Sequence, residues 1–173
     1  WGIAFNESQR LAIEADSTFG ERNPEAGLKG MGAARSIGLI SYRNYQAYNL
    51  TQKEESNDLL KDFKACKYQR YQGQKLINRF NAYSYHRLSQ AMDNHNIMRD
   101  RSDIPEEILS NIKTRTLVLG INSDYLFPLQ EQIFLAEHIP NCQFETIDSD
   151  YGHDGFLIEY EKISTILDQF LKL

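Results

Sequence analysis

Two short apolar runs, Thr114-Arg115-Thr116-Leu117-Val118-Leu119-Gly120-Ile121 and Gln143-Phe144-Glu145-Thr146-Ile147, constrain the fold of this chain more than any other feature. The first is rich in β-branched and apolar residues with little alternation, the pattern of a strand buried on both faces of a parallel sheet. Between the runs, 128–138 reads as a helix with Pro128 suited to its start. After them, roughly 155–171 is an amphipathic helix whose Phe156, Leu157, Ile163, Ile166, Leu167, Phe170 and Leu171 can cover a sheet. Strand–helix–strand–helix is a βαβ unit, whose crossover is right-handed. Two strands alone leave both edges unpaired, so the rest of the sheet is expected upstream of Trp1. A start at Trp rather than Met, inside an apolar run, points the same way, to a segment of a longer protein.

Up to about residue 100 the pattern is helical instead. Residues 3–15 read as a helix ended by Asp16-Ser17-Thr18-Phe19-Gly20, and Gly27, Gly30 and Gly32 punctuate the loop after it. A second helix is expected over 28–48, with Leu28, Met31, Ala34, Ile37, Leu39 and Ile40 on its inner side. The polar stretch 49–58 reads as an exposed connection, followed by helices over 59–79 and 83–95. Ser102-Asp103-Ile104-Pro105 marks the change of character, with a short helix over 105–111.

With 173 residues and 41% hydrophobic composition the chain can bury a real core. A net charge of −5 argues against a nucleic-acid partner, which calls for a basic face. No apolar run approaches the roughly 18 residues of a membrane span, and Asn6, Glu7, Arg10 and Glu14 rule out a leader pattern in the first residues. Cys66 and Cys142 lack metal-ligand spacing and read as free thiols of a reducing, cytoplasmic compartment, with a disulfide between them as the alternative. His86, His95 and His138 show no zinc pattern and read as ordinary helix residues, so no metal is expected.

The chemistry sits after the two strands. In open α/β sheets function concentrates in loops at the carboxyl ends of strands. Asn122-Ser123-Asp124-Tyr125-Leu126-Phe127-Pro128 follows the first run and Tyr151-Gly152-His153-Asp154-Gly155-Phe156 the second. Asp, then His, on successive strand ends is the order in which α/β-hydrolases present the second and third members of a Ser…Asp…His triad. A serine hydroxyl needs a His to accept its proton, and the His needs a buried carboxylate to hold its tautomer. The first member is missing, because no Ser or Cys lies in a G-x-S-x-G-like turn. On the motif alone, Asp124 reads equally well as a plain turn residue.

Five separated blocks, in order, extend the comparison: Trp1-Gly2-Ile3-Ala4-Phe5-Asn6-Glu7-Ser8-Gln9-Arg10-Leu11-Ala12-Ile13; Gly-Leu…Ala-Arg…Ser-Tyr-Arg over 27–43; Tyr71-Gln72-Gly73-Gln74-Lys75 with Arg79-Phe80-Asn81-Ala82-Tyr83-Ser84-Tyr85; Asp124…Phe127-Pro128; and Tyr151-Gly152-His153-Asp154. Together they resemble the homoserine O-acetyltransferase family nearly end to end. The resemblance implies an α/β fold, the C-terminal part of an α/β-hydrolase with an inserted helical lid: 1–24 partial core, 25–104 lid, 105–173 core. It implies acetyl transfer from acetyl-CoA, as co-substrate, to L-homoserine in methionine biosynthesis, with no permanently bound cofactor and a homodimer formed through the lid.

By the same resemblance Asp124 and His153 are the catalytic acid and base. Arg35 and Tyr42 are the lid residues of the family's A-R-x-x-x-x-x-x-Y spacing, and Asp154 is a second substrate-binding position. Arg35 would fork onto the homoserine carboxylate while Asp154 pairs with its ammonium. The nucleophile is then expected upstream, and the 173 residues alone are expected to be inactive. Two departures stand out: the family's R-F-D-A-N-S-Y is Arg79-Phe80-Asn81-Ala82-Tyr83-Ser84-Tyr85 here, and Leu129 replaces a common Pro or polar residue. Competing readings are succinyl transfer or a serine acceptor on the same fold, an esterase with the same triad, and a non-catalytic helical interaction module.

Overall fold

The structure is a computed structural model that describes residues 1–55 and 60–172. It divides into two compact units, Trp1–Ser41 with Tyr45–His95, and Tyr42–Asn44 with Asn96–Leu173.

The first unit is helical: α1 (Gly2–Glu14), α2 (Leu28–Tyr42, all but its last residue), α3 (Tyr45–Gln52), α4 (Lys64–Ile77) and α5 (Ala82–Asp93). Its core is Ile13, Met31, Ala34, Leu76 and Ala82, with Phe19, Leu28, Ile77 and Tyr85 packed around it. Gly30 lets α2 lie directly on α1, because a Cβ there would stand 2.5 Å from the Ala12 carbonyl oxygen. Asp16 ties the connection together. Its carboxylate accepts from the backbone N–H groups of Gly30 and Thr18 and from the Thr18 hydroxyl. Those bonds, the Gly30 one foremost, lower its pKa from 3.8 to about 2.

Charge is also buried here. Arg10 meets Asp93 of α5 at 2.6 Å, both side chains nearly closed to water, and donates to Ser89. Burial works against the charged guanidinium, but bonds to Glu7 and Asp93 outweigh it and raise the Arg10 pKa. Asn81 caps α5 by accepting from the Ser84 N–H at 2.8 Å. The departure from Asp at that position therefore keeps the capping oxygen. Tyr83, the second changed residue of that block, stacks on Phe19 with its hydroxyl between the Phe19 carbonyl and the Arg22 N–H.

The second unit carries α6 (Pro105–Ser110), β1 (Thr116–Ile121), α7 (Leu129–His138), β2 (Cys142–Ile147), α8 (Gly155–Ile158) and α9 (Tyr160–Lys172). The strands pair in parallel, Thr116 opposite Cys142 through Ile121 opposite Ile147. Both end at the same level, where Asn122 N–H donates to the Ile147 carbonyl at 3.1 Å. Arg115 lies 4.0 Å over the Phe170 ring, attaching α9 beside the sheet.

Several sequence expectations need correction, and Gly30 and Gly32 lie within α2 rather than in the loop before it. The helix over 28–48 is two helices, interrupted at Arg43 and Asn44, with Ile40 exposed rather than inner. The connection over 49–58 is still helical through Gln52, and 56–58 lie outside the described residues, as does residue 59 of the helix expected over 59–79, which starts at Lys64. The terminal helix is broken at Glu159, whose carboxylate is engaged by Lys162 and Ser149. Finally, β1 is half-buried along most of its length. Phe156, Leu157, Leu167 and Leu171 are exposed while Ile163, Ile166 and Phe170 are half-buried, since a two-stranded sheet offers a narrow face to cover. Among the described residues no helix is long and apolar enough to cross a membrane, and Cys66 and Cys142 are free thiols.

Candidate active site

The equal strand lengths decide where the polar side chains meet. Asp124 lies three residues past the end of β1 and His153 six past the end of β2, so both sit at the carboxyl edge of the sheet. Two further bonds hold the loops together: Asn122 with the Asp148 carboxylate, and the Ser123 hydroxyl with the Ser149 carbonyl.

Asp124 is 8% exposed. Its Oδ1 accepts from the backbone N–H groups of Leu126 and Phe127 at 2.8 and 2.9 Å. Its Oδ2 lies 2.8 Å from His153 Nδ1. One oxygen of Asp124 thus closes the turn and the other meets the His153 ring. A carboxylate can only accept, so Nδ1 carries the hydrogen and Nε2 is the nitrogen left to exchange a proton.

His153 lies in a single 3-10 turn, Gly152–Asp154. Gly152 has φ +63°, and a Cβ there would stand 2.8 Å from the Asn44 nitrogen, so both its backbone angle and its neighbour demand glycine. The imidazole stands among three aromatic rings, with centroids of Phe127 at 5.0 Å, Phe156 at 5.2 Å and Tyr42 at 6.1 Å.

Of the five residues singled out in the sequence, Asp124, His153, Tyr42 and Asp154 come together in the second unit. Arg35 belongs to the first, on α2, two helical turns before Tyr42. Asp154 does not stand alone. Its Oδ2 accepts from Arg43 Nε at 2.9 Å.

Sequence reasoning gave no role to Arg43, Asn44, Ser123 or Ser149. Asn44, 3% exposed, donates to the Ser123 carbonyl at 3.4 Å, and the Ser123 hydroxyl accepts from the Gly152 N–H at 3.0 Å. Asn44 had a readable signal, since Asn immediately before a helical run favours a break and a new helix start. The others carried none, because their partners lie far along the chain.

A homoserine O-acetyltransferase from Cyclobacterium marinum is 50% identical over 172 residues, covering 98% of this chain and 48% of the relative. The chain matches the homoserine O-acetyltransferase family. It spans about half the length of the curated relatives it matches. No family model matches the chain. Among solved structures it resembles homoserine O-acetyltransferase from Bacillus anthracis, with a TM-score of 0.88 at 18% identity, over 99% of this chain and 49% of that one. It also resembles esterase E22, with a TM-score of 0.83 at 16% identity, over 99% of this chain and 50% of that one. These structural likenesses establish the fold, of the α/β-hydrolase kind with additional helices. The curated relatives it matches are named as homoserine O-acetyltransferases.

Proposed function

We propose that this chain carries the acid and base of an enzyme that moves an acetyl group from acetyl-CoA to the hydroxyl of L-homoserine, a step of methionine biosynthesis. The observation that supports it most is the Asp124–His153 pair at 2.8 Å, its acid held by two backbone N–H groups, in a chain that matches this family.

In this scheme a serine from a part of the protein outside these 173 residues attacks the thioester carbonyl. His153 Nε2 takes the serine proton and hands it to the departing CoA sulfur, leaving an acetyl ester on the serine. It then takes the homoserine hydroxyl proton as that oxygen attacks the ester, and returns a proton to the serine when O-acetylhomoserine leaves. Asp124 keeps Nδ1 protonated and stabilises the imidazolium formed in each half-reaction. Arg35 is assigned to the acceptor's carboxylate, Asp154 to its ammonium, and Tyr42 to the wall beside the base. Opposite charges on two residues would select an amino acid over a simple alcohol. Residues 25–104 are assigned as the helical lid, with 1–24 and 105–173 as parts of the hydrolase core. A cytoplasmic location and a homodimer formed through the lid complete the reading. Size-exclusion chromatography across protein concentrations tests the dimer.

The scheme needs no metal and no resident cofactor, since acetyl-CoA is a substrate. The likeness to esterase E22 favours a second reading, in which water takes the place of homoserine. One experiment separates them: CoA release from acetyl-CoA by the full-length protein, with and without L-homoserine. Transfer predicts release that rises with homoserine and yields O-acetylhomoserine. Release indifferent to homoserine, with free acetate as product, would overturn it. Succinyl-CoA and L-serine in the same assay test the donor and the acceptor.

A further inference from the structure

The last residue of α2, Tyr42, and the two residues between α2 and α3, Arg43 and Asn44, all engage the turn that holds the base. Tyr42 places its ring 6.1 Å from the His153 imidazole. Arg43 Nε donates to Asp154 Oδ2 at 2.9 Å. Asn44 presents its backbone nitrogen against Gly152, at a distance no Cβ could occupy. All three belong to the unit that carries Asp124 and His153.

Within this group the Arg43–Asp154 pair has the most specific chemistry. Both side chains are largely closed to water, 21% and 17% exposed. A carboxylate so poorly hydrated needs a fixed cationic or hydrogen-bonding partner. Asp154 is also the residue directly after the base. If unrestrained, its carboxylate could swing toward the imidazolium formed in each half-reaction and compete with Asp124 for it. Held by Nε on one oxygen, it keeps its position beside the base.

We infer that Arg43 is a positioning residue for the acyl acceptor: it fixes the Asp154 carboxylate so that the acceptor's ammonium meets a preset oxygen beside the base. This role rests on the acetyltransferase reading and adds a residue to it. Arg43 touches neither the acetyl group nor the base and acts through Asp154. Its loss should therefore weaken acceptor binding and spare the first half-reaction.

The test is a double-mutant cycle in the full-length enzyme, with R43Q, D154N and the double variant. Two quantities are read: KM for L-homoserine, and the burst of CoA released from acetyl-CoA without homoserine. R43Q should raise KM about tenfold or more, because one partner of a shielded ion pair is removed. The burst rate should stay within about threefold, and in the D154N background R43Q should change KM by less than about twofold. R43K keeps the charge and should raise KM by no more than about threefold. If R43Q fails to fold, R43K with D154N provides the same cycle on a smaller scale. An R43Q effect undiminished in the D154N background overturns the inference, as does a slowed burst with KM unmoved, or no change in either. Wild-type enzyme in the same assay keeps the two claims apart. No homoserine-dependent CoA release overturns the acetyltransferase reading itself, whereas homoserine-dependent release with a KM insensitive to R43Q overturns only the role of Arg43.

Discussion

Each of the two units contains a histidine bound to a carboxylate, and the two pairs are built in opposite senses. In the helical unit His86 Nε2 lies 2.6 Å from Glu14, with the His side chain 11% exposed and the Glu 48%. In the βαβ unit His153 lies 2.8 Å from Asp124, with the His side chain 26% exposed and the Asp 6%. One pair buries its base and leaves its acid in water. The other buries its acid, fixes it with two backbone N–H groups, and leaves its base within reach. Only the second arrangement suits proton transfer to a substrate, because the orienting group must be fixed and the working nitrogen accessible. A His–carboxylate distance alone does not distinguish them.

The sharpest way to break this contrast is to neutralise each acid in the full-length enzyme. Asp124→Asn should lower kcat by about 10³–10⁴, because the amide no longer enforces the working tautomer. Glu14→Gln should leave kcat within about twofold, as expected for a half-exposed carboxylate that is no part of the Asp124–His153 pair. Steady-state CoA release measures both. Comparable losses from the two would erase the distinction between the pairs.

A second contrast concerns buried charge. The helical unit uses it for cohesion, joining α1 to α5 through Arg10 and Asp93. Arg10→Ala should cost about 3–5 kcal/mol, since it strands a shielded carboxylate. Chemical denaturation reads this directly, and a loss below about 1 kcal/mol would mean the pair is solvated after all. His86→Ala should be milder, about 1–3 kcal/mol for a buried polar group and its packing, with kcat/KM at native temperatures unchanged.

The smallest effect is a matter of pH. Asp16 has its pKa lowered from 3.8 to about 2 by the bonds it accepts, the Gly30 N–H foremost. A depressed carboxylate stabilises the fold above its unfolded pKa and loses that contribution as pH falls through the folded value. Asp16→Asn should therefore lower Tm at pH 5 and above, corresponding to about 1–2 kcal/mol, with the gap to wild type closing between about pH 4 and pH 2. Thermal melts across that range test it, and a gap that widens on acidification would reverse the sign.

Much of this organisation was legible in the sequence, and its gaps have physical causes. β1, β2 and α7 could be read because buried parallel strands and a proline-started helix leave local signatures. Asp124 and His153 could be read because strand ends in such a unit share an edge. The break at Arg43 and Asn44 was marked locally by Asn44 alone, since apolar spacing continues through it and the contacts that stabilise it lie more than a hundred residues away, at Gly152 and Asp154. The break at Glu159 was hidden because apolar spacing continues past it, while its carboxylate is engaged by Lys162 and Ser149. Asp154 was singled out, through the family resemblance, as a substrate-binding position but not as half of an ion pair, because nothing local distinguishes Arg43 from a solvated helix arginine.

The whole scheme rests on His153, oriented by Asp124, moving the proton in both half-reactions. Its most direct test is the pre-steady-state burst of CoA from acetyl-CoA in full-length His153→Ala, under conditions where circular dichroism confirms a native fold. The burst should slow by about 10³-fold or more, with acetyl-CoA affinity little changed. A burst of wild-type rate and amplitude from the folded variant would contradict it.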